Sequence, residues 1–235
     1  MNVEEYKDFI KKFQNVFHAQ FYDVYRNTAD DIKRAKDSLS RFSSYIDITE
    51  EIPKCCNWRI YKTGNRHHYD PTYTQEKVLP IFLSALNIDV NLSDFVKSKL
   101  YDVVPMYELT TDTMFSYRDL SSENEIIGNH ETVLRNVLEE NEDKHFYHNL
   151  FRGSHTCCLI KNLSINSSRK LLLNCDSMFV PIVPILSYFF KEILHLDNRT
   201  DRSFWNIIKN YDASDYICAL TTSNVFNEKF LTNLK

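Results

Sequence analysis

Glycine is scarce in this chain. Its 235 residues include only three, Gly64, Gly128 and Gly153. They are too far apart for a Walker-type loop or a G-x-G-x-x-G fingerprint, both of which need clustered glycines where the backbone approaches phosphate. Long apolar runs are missing too: no eighteen consecutive apolar residues occur, so no membrane span is expected. The richest stretch, Met178 to Leu196, is interrupted by Pro181, Pro184, Lys191 and Glu192. No C-x-x-C pair is present, so neither a zinc knuckle nor a dithiol redox motif is spelled out. A basic surplus is absent as well. With 28 Lys and Arg against 32 Asp and Glu, the formal net charge is -4, which gives no electrostatic footprint for nucleic acid. The segment Met1 to Phe21 lacks the basic and apolar regions of a signal peptide, and the expected location is cytoplasmic.

What is present describes a folded protein. Hydrophobic residues make up 43% and aromatic residues 14%, with 16 Phe and 14 Tyr. That composition excludes a disordered tail, and the length suffices for a sizeable core. The six cysteines are Cys55, Cys56, Cys157, Cys158, Cys175 and Cys218. A chain of this length does not need disulfide staples, so they read as buried free thiols in a reducing compartment.

Patterning divides the chain into a helical segment, 1–42, packed on a domain spanning 43–235. Within 4–42, Phe9, Ile10, Phe13, Phe17 and Phe21 recur at spacings of three and four, followed by Ile32, Ala35, Leu39 and Phe42; the spacing predicts one or two helices. Trp58–Tyr61 reads as a short strand and Lys62–Thr74 as a polar loop. A helix is predicted over Thr74–Leu86, with Thr74 as its cap. The middle predicts a short helix or strand at Phe95–Val104, a loop at Tyr117–Gly128 and an acidic helix near Thr132–Glu142. Arg169–Cys175 is a basic turn feeding an apolar run, which suits a buried parallel strand. A helix from Val180 to His195, another over Trp205–Tyr211 and a strand at Tyr216–Leu220 follow. Strand, turn, helix, helix, strand is the pattern of an α/β sheet with parallel strands.

In such a sheet the ligand crevice lies beyond the C-terminal strand ends. Ser177, preceded by Asp176, stands one step past a predicted strand, where the amides opening a helix can stabilise an oxyanion. A serine nucleophile needs a base, and histidine is the usual one. The pair His67-His68 sits in a loop after another short strand and so could meet the same crevice. Read from spacing alone, Asp176-Ser177 is equally a helix-capping pair and His67-His68 a surface pair. His145 and His148, with His155 nearby, have no acidic or cysteine ligand at a recognisable spacing, so no metal site is expected. His18 and His130 stand alone.

A resemblance joins these residues. Leu171-Leu-Leu-Asn-Cys-Asp-Ser177-Met-Phe, continuing to Phe190 and Asp197-Asn-Arg199, resembles the Gly-Asp-Ser block of SGNH-hydrolase-like proteins, particularly the branch of alginate O-acetyltransferases and capsule-biosynthesis domains. Ile60-Tyr-Lys-Thr63 with Arg66-His-His-Tyr69 is similar to that branch's histidine block, and both blocks fall in the family's order. Tyr117-Arg-Asp-Leu120 and Tyr211–Leu220 also keep that order. The resemblance spans roughly 40–225. It implies a three-layer α/β/α sandwich with a mostly parallel central sheet, SGNH- or flavodoxin-like. It also implies acyl transfer at an ester, without a cofactor. Ser177 would be the nucleophile and His68 the base, with Asp176, Asn65 or Asp70 as replacement carboxylate or amide partners. Arg199 and Asn162 are candidates for the oxyanion, while His67 and Asn65 would face the substrate, a carbohydrate or acylated glycan. Two positions depart from the pattern. Cys175 stands where the family has glycine, and Arg66 stands where it has the aspartate that orients the histidine; Gly64-Asn65 also read as inserted. The family's first core strand would fall before residue 1 unless the N-terminal segment replaces it. The expected function is therefore an SGNH-type O-acyltransferase or esterase acting on a polysaccharide or its precursor. The alternative is a noncatalytic carbohydrate-binding or scaffolding module of the same fold. Oligomeric state is left open.

Overall fold

The structure, a computed structural model, describes residues 3–21, 28–48, 73–90, 95–98, 106–109, 113–120, 125–129, 157–197 and 205–225. In chain order the elements are α1 (Val3–Ile10), β1 (Asn15–Phe21), α2 (Ala29–Leu39) and β2 (Ser44–Ile46). A π-turn (Thr74–Val78) then runs into α3 (Leu79–Ala85). Next come β3 (Phe95–Ser98), β4 (Met106–Leu109), β5 (Met114–Asp119), β6 (Glu125–Asn129), β7 (Cys157–Asn162) and β8 (Lys170–Cys175). A 3₁₀ turn (Val180–Ile182), α4 (Val183–Leu186), β9 (Glu192–Leu196), α5 (Trp205–Asn210), β10 (Asp215–Thr221) and α6 (Thr222–Val225) complete the order.

Eight strands form one mixed sheet in the order β2-β1-β10-β8-β9-β7-β5-β6, and β3 pairs with β4 separately. The five strands from β2 to β9 are mutually parallel, while β7, β5 and β6 continue antiparallel. β8 lies among the parallel strands and is buried on both faces. Leu171, Leu173 and Cys175 enter one core, with Phe82 of α3 and Ile182, Val183 and Ile185. Leu172 enters the other, with Tyr6 and Ile10 of α1 and Ile208 of α5. An unbroken leucine run is what such a strand requires, because alternation would expose polar side chains to a core. Each fully buried leucine contributes roughly 1.5–3 kcal/mol. The result is an α/β sandwich with a mostly parallel centre, as the sequence predicts.

Several local expectations change. The Phe9–Phe21 stripe is helix only as far as Ile10, and Asn15–Phe21 is a strand paired with both β10 and β2. A spacing of four satisfies a strand as well as a helix, since it is a multiple of two. Phe17, Ala19 and Phe21 accordingly share one face and His18 and Gln20 the other. The N-terminal segment thus supplies a strand of the sheet, between β10 and β2.

The helix starting near Thr74 forms, but Thr74 does not cap it. Tyr73 holds the cap position with helical torsions and makes no side-chain cap bond, while Thr74 is buried in the first turn. Pro80 has no amide hydrogen to extend the α ladder, and a π-turn in which the Leu79 amide donates to the Thr74 carbonyl absorbs the break. Tyr117–Gly128 is not simply a loop, because β5 and β6 pair across it from Met114↔Asn129 to Arg118↔Glu125.

The helix expected from Val180 to His195 is two short turns followed by β9. Pro181 and Pro184 withhold two amides, and Ile193 to Leu196 gain ladders on both sides, from β8 and β7. Trp58–Tyr61 and the acidic segment near 132–142 lie outside the described residues.

Candidate functional site

The connection from β8 to β9 carries its helices on one face of the sheet, whereas α5, between β9 and β10, packs on the other. β10 and β9 flank β8 on opposite sides. Chain order therefore reverses at β8, and its C-terminal end opens at a topological switch point, where α/β folds hold their ligands. Asp176 and Ser177 occupy that point.

The Asp176 carboxylate ties the turn to the next strand end. Its Oδ1 accepts the Met178 amide at 3.1 Å. Its Oδ2 accepts the Thr221 amide at 2.6 Å and the Asn224 side-chain amide at 2.8 Å. The Phe179 amide donates to the Asp176 carbonyl at 3.1 Å, closing the turn around Ser177. Burial pushes the Asp176 pKa up, against the pull of its three donors. With both oxygens so engaged, this carboxylate holds the serine turn in place. Among the described residues its partners are the Met178 and Thr221 amides and the Asn224 side chain. Ser177 itself is 7% exposed.

The helix invoked for the oxyanion is not there in the expected form. Only a three-residue 3₁₀ turn and the four-residue α4 follow the serine. So short an element develops little macrodipole.

Asn162 is corrected outright. It ends β7, which runs antiparallel to β9, so it lies beside Lys191 and the start of β9. That is the opposite end of the strands from Ser177: Asn162 is level with Arg169, the length of β8 or about 20 Å away. Its Nδ2 donates to the Ser187 and Tyr188 carbonyls at 3.1 and 3.4 Å, and its Oδ1 accepts the Ser164 and Ile165 amides, both at 3.0 Å. It ties turns together and has no part in an oxyanion hole. His67, His68, Asn65, Asp70, Arg66 and Arg199 lie outside the described residues, as do His145, His148 and His155. Among the described residues no group of three His, Cys, Asp or Glu could hold a metal ion.

Sequence reasoning missed two further features of this edge. One is Asn224, 48 residues beyond its partner Asp176; no local pattern links them. The other is His195, read as helical but placed on β9 opposite Cys158 and Leu173. Its Nδ1 lies 3.5 Å from the Cys158 Sγ and its Nε2 lies 3.2 Å from the Cys175 Sγ. Burial lowers its pKa to about 4, with Asp197 opposing. A neutral imidazole with both nitrogens held by sulfur is not free to serve Ser177 as a base. The signal for its strand was the short apolar run Ile193–Leu196 following two prolines.

A cavity of about 420 Å³ lies at the other end of the parallel strands, among Lys12, Asn15, Arg169, Lys170, Asp212 and Ser214. The Arg169–Asp215 ion pair fills part of it, with Nη2 to Oδ1 at 2.7 Å and Nε to Oδ2 at 3.3 Å. This is a structural clasp at the edge away from Ser177.

The fold is shared with known structures. A DHHW family protein from Eubacterium siraeum superimposes with a TM-score of 0.72 at 17% identity, covering 98% of this chain and 87% of that one. Bacillus cereus PatB1 with a sulfonyl adduct gives 0.71 at 13% identity over 97% and 87%, and a second PatB1 structure gives 0.66 at 15% over 97% and 89%. No protein-family model and no curated sequence matches the chain. At these identities the likeness shows the fold, an α/β sandwich with a mostly parallel centre.

Proposed function

We propose that the chain is an SGNH-type acyl-transfer protein, an esterase or O-acyltransferase acting on an esterified polysaccharide or its precursor. The observation that carries this reading is the position of Ser177 on a pinned turn at the switch point of the sheet. A fold shared with PatB1, one of whose structures contains a sulfonyl adduct, supports it. In this reading His68 takes the Ser177 proton as Oγ forms a bond to the ester carbonyl carbon. The ester C–O bond then breaks, and the leaving alcohol receives that proton. A sugar hydroxyl or water next attacks the acyl-serine, with His68 again relaying the proton, and Ser177 is regenerated. Arg199, His67 and Asn65 serve the substrate side. His195, held by two thiols, is excluded as the base, so a histidine from elsewhere in the chain is required.

Phenylmethylsulfonyl fluoride tests the reading, because a nucleophilic serine displaces fluoride and gains the sulfonyl mass. The expected result is one adduct on the Ser177 peptide, abolished in Ser177→Ala together with p-nitrophenyl acetate hydrolysis. Full hydrolysis by Ser177→Ala would overturn it. A noncatalytic carbohydrate-binding module is the second reading, favoured by the near-complete burial of Ser177. It predicts no sulfonyl adduct together with measurable oligosaccharide binding.

A further inference from the structure

The chain Cys158–His195–Cys175 crosses three neighbouring strands, β7, β9 and β8, at the sheet edge that carries Ser177. All three side chains are buried on one face. A neutral imidazole has one N–H and one bare nitrogen, so His195 donates to one sulfur and accepts the S–H of the other. The chain continues outward to the Tyr117 hydroxyl of β5, beside Cys158. Cys175 is covalently two residues from Ser177. The Asp176 clamp fixes the turn from the β10 side, but nothing in that clamp fixes it from the β9 side.

We propose that His195 is a positioning residue for Ser177, fixing the strand end that bears the serine by bridging Cys175 to Cys158 across β9. The two ties work from opposite flanks. Asp176 holds the turn to Thr221 and Asn224, and the imidazole holds the last residue of β8 to the neighbouring strands. Without the imidazole, the Cys175 thiol loses its tie to β9 and β7, and the strand end that bears the serine turn loses support on that flank. A displacement of about 1 Å at a reacting atom lowers reactivity by up to about 100-fold. The group adjusts geometry only, since its nitrogens face sulfur.

This inference rests on the acyl-transfer reading, and its test separates the two. The rate of sulfonylation by phenylmethylsulfonyl fluoride is measured across pH for the whole chain and for His195→Leu and His195→Gln, each checked for a native near-ultraviolet spectrum. Expected are a fall of about 10- to 100-fold in His195→Leu, recovery of most of that loss in His195→Gln, whose amide offers a donor and an acceptor, and an unchanged pH midpoint. Wild-type rates in folded His195→Leu overturn the positioning role and leave acyl transfer standing. A shifted or vanished midpoint overturns it differently, by making His195 the base. If the unsubstituted chain takes no sulfonyl group, the acyl-transfer reading falls and this inference with it. Should His195→Leu not fold, Cys158→Val, which removes only the outer anchor, is expected to slow labelling several-fold; no slowing overturns the proposal.

Discussion

Four thiols in the described residues are shielded by their surroundings. Burial pushes Cys157 and Cys218 up to about 12 and raises Cys158 and Cys175 strongly as well. The thiolate is the reactive species, so these groups are inert near neutral pH. Iodoacetamide should leave all four unmodified in the native protein and alkylate them in concentrated guanidinium, as read by peptide mass spectrometry. Native alkylation of Cys175 would contradict the packing around β8. The sequence expectation of buried free thiols holds for these four. The Asp176-Ser177 turn was legible because a mostly apolar run, Leu171–Cys175, gives way to two small polar residues. Its partners were not. Thr221, Asn224 and the two thiols on His195 are between 20 and 48 residues from what they touch, and such pairings are set by topology.

Among the elements, β8 and β10 rest on one clasp at their starting edge. Arg169 forks onto Asp215, donates to the Leu86 carbonyl at 3.2 Å and lies over the Phe190 ring at 4.9 Å. Asp215 is fully buried and also accepts from Asn15 and Ser214. Arg169→Ala strands that carboxylate and is expected to cost about 3–5 kcal/mol by urea titration. Arg169→Lys should recover only part, because it keeps the charge and loses the fork. A loss below about 1 kcal/mol in the alanine variant would mean that the clasp is dispensable. Elements with an apolar run at their centre, such as β8 and β10, could be read directly from sequence. Those that failed were ambiguous in period or overridden by neighbours. Phe13, Phe17 and Phe21 fit a helix and a strand alike, and the segment ending in β9 was recruited by ladders on both sides. The strand β5 was passed over because its buried Ser116 and Asp119 look like loop residues.

For the whole molecule, acid is the expected weakness. Burial lowers His18 to about 3 and His195 to about 4, from an ordinary value of 6.5. The unfolded chain therefore binds protons that the native state refuses. The stability due to neutral His195, on the order of 3 kcal/mol, is present above pH 6.5 and is lost as pH falls toward about 4; His18 contributes on the order of 5 kcal/mol, lost toward about 3. The raised Asp176 acts with opposite sign, its contribution fading as pH rises through its folded value. The urea midpoint should thus fall steeply between pH 6.5 and 4, with His18→Gln and His195→Gln each flattening the slope. An unchanged slope in both variants would contradict the burial of these rings. His18 also joins elements, with the Tyr6 hydroxyl of α1 2.7 Å from its Nε2 and Ser43 2.5 Å from its Nδ1.

The parallel pairing of β1 with β10, from Asn15↔Asp215 to Phe21↔Thr221, has a consequence for biosynthesis. During synthesis β1 emerges two hundred residues before the strand that covers its inner edge. Until then Phe17, Ala19 and Phe21 belong to a nascent sheet open on that side, the kind of edge that recruits unwanted partners. β10 therefore lies between β1 and β8, and the turn after β8 gains its Thr221 and Asn224 anchors only once residues 215–225 have been made. Truncated translation products should carry the serine without the geometry that makes it reactive.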